Sequence, residues 1–480
     1  MDQRILRYER LADELAGMIA GRILRPGDRL PSVRRLAHEK RLSISTVVQA
    51  LRQLEERGQV EARPQSGFFV CLPAPERSPQ LEPQTRRRLA RPVAVDISSR
   101  LMGVHACIAR PGMVPFGPAM PAAELMPIAS LQRLYGLVGR RSETLLDWNS
   151  HTDLNHPDLV RQFVRHSLAW GQPLAADEIV VTNSCTEALS LCLRAVTRPG
   201  DTVAVESPSY YLMLELLEQR GLKALEIPTH HRLGLSVDAL EIASRERRIA
   251  ACLLVSNFSN PLGSLVPDHE KKRLAELMAE RRIPVIEDDI FGGLHFGPDR
   301  PWPVKSFDTA GNVMLCSSLS KMLSPSLRLG YVAAGRFHAE VLMQKTLTSG
   351  ATNPVTQAVA ARHLESTAHD RHLRGLRRAC ERQVMQMSEA ILRYFPAGTR
   401  LSQPQGGFVL WVELPAGSDS AVLFEHAVRE GIAFVPGNLF SASGRYRNCL
   451  RLNCGNPWSP RLEEAVKRLG ALAGEASVLP

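Results

Sequence analysis

No apolar run in this 480-residue chain is long enough to cross a membrane, and its start, MDQRILRYERLADEL, lacks the apolar core of a secretory signal. The nine cysteines form no Cys-x-x-Cys pair. That scatter argues against a zinc site and against a disulfide framework, and it predicts a reducing, cytoplasmic setting with no bound metal. Against an otherwise ordinary globular composition stands an excess of positive charge, formally +10. Residues 1–91 hold 18 Lys and Arg against 11 Asp and Glu, so most of the excess lies in the first fifth of the chain. A solvated basic face would explain it, but its concentration favours a polyanionic partner for the N-terminal segment. The length calls for more than one domain.

Tyr8, Leu11, Ala12, Leu15, Met18 and Ile19 recur at helical spacing until RPGDRLPS (25–32) breaks the pattern. Pro31-Ser32 opens a second short helix, VRRLAHEK, and a third is predicted over 45–57 and stopped by Gly58. On that third helix Val47, Ala50, Leu51 and Leu54 make an inward stripe, which turns Thr46, Gln49 and Gln53 outward, uncharged and able to hydrogen-bond. Such groups suit base edges in a major groove, with Ser45 beside them and Arg34 and Arg63 available for phosphates. VEARPQSGFFV (60–70) reads as two short strands around a turn that ends at Gly67, a wing. Three helices and a wing make a winged helix-turn-helix. PGDRLPSVRRLA, STVVQALRQLEERG and SGFFV resemble the GntR-type winged-helix domain, although Ile44 stands where many such domains carry arginine.

Residues 72–112 begin LPAPERSPQLEPQTRRRLARP, rich in proline and charge, and read as a linker with a root-mean-square span of roughly 25–35 Å. Arg86, Arg87 and Arg88 within it read as a solvated charge run. From residue 160 onward, short apolar strands such as EIVVTN, DTVAVESP, AACLLVSN, PVIEDDI and NVMLCSS alternate with helical segments. That alternation predicts an α/β fold with a mostly parallel sheet, whose ligands bind at the carboxyl ends of the strands.

Polar signals fall at those ends. Ser184-Cys185-Thr186 opens a helix and offers backbone amides to a phosphate, though Ser184 and Glu187 also fit an ordinary capping box. Tyr210 presents an aromatic face beyond a second strand, or simply packs in the core. Asn260-Pro261 sits at the tip of a third strand. Asp288 and Asp289 end a fourth, where a buried carboxylate needs a cation, a cap or an ion pair. Lys321 follows a fifth in SSLSKMLSPSLR, between Ser318, Ser320 and Arg328. An amine beside a guanidinium is costly unless an anion lies between them.

In this order the series resembles the pyridoxal-phosphate site of fold-type I aminotransferases, over roughly residues 115–460. The resemblance implies that Lys321 forms a Schiff base with the cofactor aldehyde. It implies that Asp288 holds the pyridinium proton, that Asn260 donates to the ring oxygen and that Tyr210 stacks on the ring. Ser318, Ser320, Arg328 and the amides near Cys185 and Thr186 would hold the phosphate, and Arg451 would take a substrate carboxylate. A winged helix followed by such a body resembles the MocR subfamily of GntR regulators. The expected layout is a DNA-binding head at 1–71, a linker at 72–112 and an aminotransferase-like body at 113–480. The body divides into a larger part at about 160–345 and a smaller α/β part at about 346–480.

The resemblance further implies a head-to-tail homodimer that binds double-stranded operator DNA and senses pyridoxal phosphate or an amine. An active aminotransferase with an accessory head is a second reading, and a repressor whose body is only a dimerisation scaffold without cofactor is a third, against which Lys321, Asp288 and Asn260 argue. Phe291 replaces the usual tyrosine of the DDxYG run and Ser184 the usual phosphate-loop glycine, while Asn155 and Val160 stand where the G-H-P-x-L-R turn has glycine and arginine. These departures imply relaxed catalytic constraint.

Overall fold

A computed structural model of the chain describes residues 7–21, 23–24, 27–56, 59–63, 67–70, 81–84, 89, 91–141 and 154–476. The chain divides into two compact units, Met1–Pro79 and Gln80–Pro480.

In the first unit the helices Arg7–Ala20, Val33–Lys40 and Ile44–Glu56 enclose a small core. Val47, Ala50, Leu51 and Leu54 are fully buried in it against Leu11, Leu15 and Leu36. The turn between the second and third helices closes because Arg41 adopts a left-handed conformation and the Leu42 N–H reaches back to the Ala37 carbonyl. The third helix begins one residue earlier than its pattern predicts, since the Ser43 hydroxyl accepts the Thr46 N–H at 3.1 Å. Strands Val60–Arg63 and Gly67–Val70 pair antiparallel. A third segment joins them through the Arg29–Phe69 bridge, with the Leu30 N–H on the Phe68 carbonyl at 2.8 Å. This addition to the wing was not legible beforehand, because RPGDRLPS reads locally only as a helix break.

The second unit is built on a nine-stranded sheet. Its strand order is Val93–Ala94, Lys223–His230, Thr202–Ser207, Ala251–Leu254, Val285–Asp288, Val313–Ser318, Gly330–Ala333 and Ile179–Thr182, with Gly234–Leu235 paired to Lys223–His230. Neighbours from Lys223–His230 through Val313–Ser318 all pair parallel, whereas Gly330–Ala333 runs antiparallel to both of its neighbours. The strands are buried on both faces, which explains their near-continuous Val, Ile and Leu character. Helices such as Cys185–Val196 and Tyr211–Gln219 pack on one face, and Val237–Glu246 and Asp268–Glu280 on the other.

Two expected boundaries move. Within the stretch read as a linker, Val93–Ala94 is an edge strand of the main sheet and Ser98–Ile108 is a helix with Leu101 and Val104 buried. Ahead of these, Glu82 pairs with His231 at 2.7 Å and the Leu401 N–H donates to the Leu81 carbonyl. Proline and charge masked the few apolar residues that anchor this segment. Arg86, Arg87 and Arg88 lie outside the described residues.

The smaller subdomain also starts later than residue 346. The helix Pro354–Glu365 still packs with Ile128–Arg141 and Pro157–Ser167 in the larger part, burying Val359, Ala360 and Leu364 with Leu159 and Phe163. The 28-residue helix Thr367–Tyr394 then leads into an antiparallel sheet of Arg400–Leu401, Val409–Glu413, Cys449–Asn453 and Val435–Pro436. The early strand Val114–Pro115 pairs with Ile432–Ala433, so the start of this unit is built into its end.

Candidate functional site

The parallel strands deliver their carboxyl ends to one edge of the sheet. Thr182 leads to Ser184, Ser207 to Tyr210, Leu254 to Asn260, Asp288 ends its own strand and Ser318 leads to Lys321. The antiparallel strand enters at that same edge, with Gly330 paired to both Ser318 and Thr182. Arg328, two residues before it, is thereby carried to the site. Arg328 holds a left-handed backbone conformation, φ +50°, as the cap of a short turn at Pro325–Leu327, an uncommon choice for a long side chain. A Cβ at Gly330 would lie 2.6 Å from the Ser184 carbonyl carbon and 2.9 Å from the Cys185 nitrogen. Only glycine lets this strand approach the loop so closely.

These residues line one cavity of about 190 Å³, which takes in Ser184, Cys185, Thr186, Tyr210, Asn260, Asp288, Ser318, Ser320, Lys321 and Arg328. Lys321 is half-buried, and its Nζ donates to the Ala119 carbonyl at 2.6 Å and lies 2.8 Å from Met120 Sδ. Burial pulls its ammonium down to about 8; the Arg451 charge adds to this, and Asp288 and Cys185 oppose it. Asp288 accepts from the Cys185 thiol at 3.4 Å and from the Ile290 N–H at 3.0 Å. Burial pushes its carboxyl up to about 6 despite these bonds. Its neighbour Asp289 faces elsewhere, ion-paired to Arg300 and accepting from Asn257 Nδ2 at 2.8 Å. The third carboxylate of the EDD run is therefore structural.

Ser184 does cap its helix, accepting the Glu187 N–H at 3.1 Å, and Cys185 and Thr186 still face the cavity. The Ser320 N–H reaches Ser318 Oγ at 3.4 Å. Tyr210 lines the cavity while its ring packs against Tyr211, centroids 4.8 Å apart. Phe291 is buried edge-on against Phe408, 5.2 Å between centroids, and faces the same cavity. Asn155, standing where the related turn has glycine, ties the edge strand: its Nδ2 donates to the Ile179 carbonyl and its Oδ1 accepts from the Val181 N–H, both at 2.8 Å. Val160 is buried in the core.

Arg451 does not line the cavity wall directly. It is wholly buried, with Nη2 on the Gly117 carbonyl at 2.6 Å and with Nε and Nη1 unpartnered. Asn260 Oδ1 is likewise buried without a partner. Unsatisfied buried polar atoms are costly: the free Arg451 donors call for an anionic acceptor, and Asn260 Oδ1, at the cavity, calls for a donor. The residues therefore fit pyridoxal phosphate: an amine for the aldehyde, a carboxylate for the ring nitrogen, an amide for the ring oxygen, and hydroxyls, amides and a guanidinium for the phosphate. Sequence reasoning missed the strap Gly117–Met120, whose carbonyls hold both Lys321 and Arg451. Nothing in PFGPAMP signals that contact, since it uses backbone oxygens alone.

In the first unit, Gln49 is exposed and lies with Ser45, Val48 and Arg52 along a shallow concavity of the third helix. Arg52 escaped the sequence reading, although its spacing from Ser45 and Gln49 places it on their face. Thr46 differs from expectation: its hydroxyl lies 2.7 Å from that of Ser43, and Ser45 also reaches Ser43 at 2.8 Å, so both take part in the helix start. Arg34 is exposed, and Gly67 opens the second wing strand at φ +100°. The side chain of Arg63 lies outside the described residues.

A winged helix-turn-helix and a fold-type I aminotransferase-like body thus share one chain. Residues 7–70 match the model of the bacterial regulatory proteins of the gntR family, and residues 148–469 match that of aminotransferase class I and II. An uncharacterized HTH-type transcriptional regulator of Escherichia coli, YjiR, is 37% identical over 97% of this chain and 98% of its own length. The 2-aminoadipate transaminase of Thermus thermophilus is 31% identical over 76% of this chain and 91% of its own. Among solved structures, the multiple substrate aminotransferase of Thermococcus profundus superposes with a TM-score of 0.73 at 26% identity, covering 79% of this chain and 95% of its own. LysN of Thermus thermophilus, complexed with N-(5'-phosphopyridoxyl)-L-leucine, gives 0.70 at 27% identity, covering 80% and 99%. The chain belongs to the MocR subfamily of GntR-type transcriptional regulators.

Proposed function

We propose that this regulator binds pyridoxal phosphate through Lys321 and couples occupancy of that site, by the cofactor or by an amine reacting with it, to operator binding. The observation that carries this reading is the convergence of Lys321, Asp288, Asn260, Ser318 and Arg328 on one cavity with unpartnered polar atoms around it. The phosphopyridoxyl group named for LysN supports it by analogy. The cofactor would supply an aldehyde able to condense with amines. Lys321 offers a nucleophile that is substantially neutral near pH 8, Asp288 keeps a negative charge there, and Arg328 with the Ser318 and Ser320 hydroxyls anchors an anion.

Acting on double-stranded DNA, the protein works in the cytoplasm as a homodimer that presents two heads to one target. Among the described residues no helix is long and apolar enough to cross a membrane, and every cysteine is a free thiol. The neutral-prone Lys321 also favours a second reading, residual transamination, which a half-reaction with amino acids would reveal. The deciding experiment is titration of the purified chain with pyridoxal phosphate, followed by borohydride and peptide mapping. Visible absorbance and a reduced adduct on Lys321 are expected, with operator affinity changing at the same cofactor concentration. An adduct on another lysine refutes the assignment.

A further inference from the structure

We infer that Lys345 is a positioning residue for the phosphate loop: its buried ammonium cancels the charge of Glu187 behind the helix start at Ser184–Thr186, which leaves that start able to accept a dianion. The inference rests on the reading of the cavity as a pyridoxal-phosphate site, and it concerns two residues that do not line that cavity.

Glu187 is the third residue of the helix Cys185–Val196, within one turn of the Cys185 and Thr186 amides. Its carboxylate ties down the residue ahead of the cap. Oε2 accepts the Asn183 N–H, and Oε1 accepts from Asn183 Nδ2 at 3.4 Å. These bonds fix the loop, but they also set a negative charge where a phosphate needs positive potential. Two anions so close, in a partly desolvated site, repel each other strongly.

Lys345 removes that conflict. It lies on the helix His338–Thr348 with its side chain wholly buried, and its Nζ stands 3.2 and 3.3 Å from the two carboxylate oxygens of Glu187. Ser349 Oγ at 2.9 Å and Thr352 Oγ1 at 3.2 Å accept its other protons. Burial draws the ammonium below its ordinary value, and Glu187 opposes that by charge and by hydrogen bond. Thr352 is fixed in turn: its carbonyl accepts from Gln357 Nε2 at 2.8 Å, and Gln357 Oε1 accepts the His156 N–H at 2.8 Å. The counter-charge behind the loop is thus held in place from the helix Pro354–Glu365 and from the start of Pro157–Ser167.

The test titrates the full chain with pyridoxal phosphate and with pyridoxal, which lacks the phosphate, and takes the ratio of the two dissociation constants as the phosphate selectivity. Lys345→Met leaves the carboxylate uncompensated and should lower that selectivity roughly tenfold or more. Glu187→Gln leaves the ammonium uncompensated and should raise it by about threefold or more. The double variant should return to within about threefold of the parent chain. Side chains that merely prop the fold would weaken both ligands alike in every variant. Equal weakening of the two ligands by Lys345→Met, or an unchanged or lowered selectivity in Glu187→Gln, would overturn the inference. Glu187→Gln keeps the buried lysine, so it decides the matter even where Lys345→Met fails to fold. Failure of the parent chain to bind pyridoxal phosphate would instead overturn the reading of the cavity.

Discussion

Lys321 should titrate near pH 8 in the cofactor-free protein, and its neighbours should move that midpoint in opposite directions. With a midpoint of about 8, against an ordinary value of 10.5, roughly a quarter of the amine is neutral at pH 7.5, where an ordinary lysine is neutral in about one molecule per thousand. A neutral amine reacts and an ammonium does not, so acetylation by a small reagent should favour Lys321 by on the order of 200-fold per accessible site. Burial is the largest cause, and the charge of Arg451 the next. Arg451→Met removes a positive charge and should raise the midpoint by about one unit, lowering the labelling rate at pH 7.5 by roughly eightfold. Asp288→Asn removes the carboxylate that favours the ammonium and should lower the midpoint. The assay is pulsed acetic anhydride labelling across a pH series spanning both midpoints, with mass spectrometry, normalised to the denatured chain. A wild-type midpoint close to that of an ordinary lysine, or shifts of the same sign in both variants, would refute the electrostatic account.

Gly330→Ala should push the antiparallel strand off the loop at Ser184–Cys185, destabilise the unit by roughly 1–3 kcal/mol and weaken pyridoxal phosphate binding, as measured by calorimetry and fluorescence titration. Unchanged cofactor affinity would mean that the loop does not hold the phosphate. Arg34→Ala should lower DNA affinity for all sequences and flatten its salt dependence, whereas Gln49→Ala should alter base preference, both read in binding-site selection assays. Glu206 is buried with Oε1 unpartnered, and burial raises its carboxyl to about 8. Its folded pKa lies above the unfolded value of 4.5, so the stability it contributes is present below pH 4.5 and lost as pH rises toward 8. Glu206→Gln should therefore flatten the fall in melting temperature of the cofactor-free protein across that interval. Phe291→Tyr should place a hydroxyl beside the ring position that Asn260 serves and shift the pH dependence of the bound cofactor's absorbance; an unshifted profile would mean that residue 291 does not face the ring.

Both folds were legible where a residue's role follows from its side chain and its local period. The stripe Val47, Ala50, Leu51 and Leu54 buries completely, and the strand-end positions of Asn260, Asp288 and Lys321 follow from the alternation of apolar strands with helices. Thr46 shows the limit of that logic. Helical period turned it outward, but Ser43, one turn before it, uses its hydroxyl. Asp289 shows another: beside Asp288 it is chemically identical, and only the distant Arg300 and Asn257 assign it to an ion pair. The linker was over-read for a related reason, since anchoring by Glu82 and Leu81 depends on partners far along the chain, at His231 and Leu401.

The strap is the deepest of these cases, because it contributes no side chain to the two contacts that matter most. Gly117 and Ala119 bind through carbonyl oxygens that every residue possesses, so no pattern of residue types could mark them. What places them is the pairing of Val114–Pro115 with Ile432–Ala433, which threads the start of the second unit through its smaller subdomain and brings the following turn against Arg451. The same threading ties Met120 to Asn453 in the strand that carries Arg451. The strap follows, a few residues on, the helix Ser98–Ile108 of the same unit.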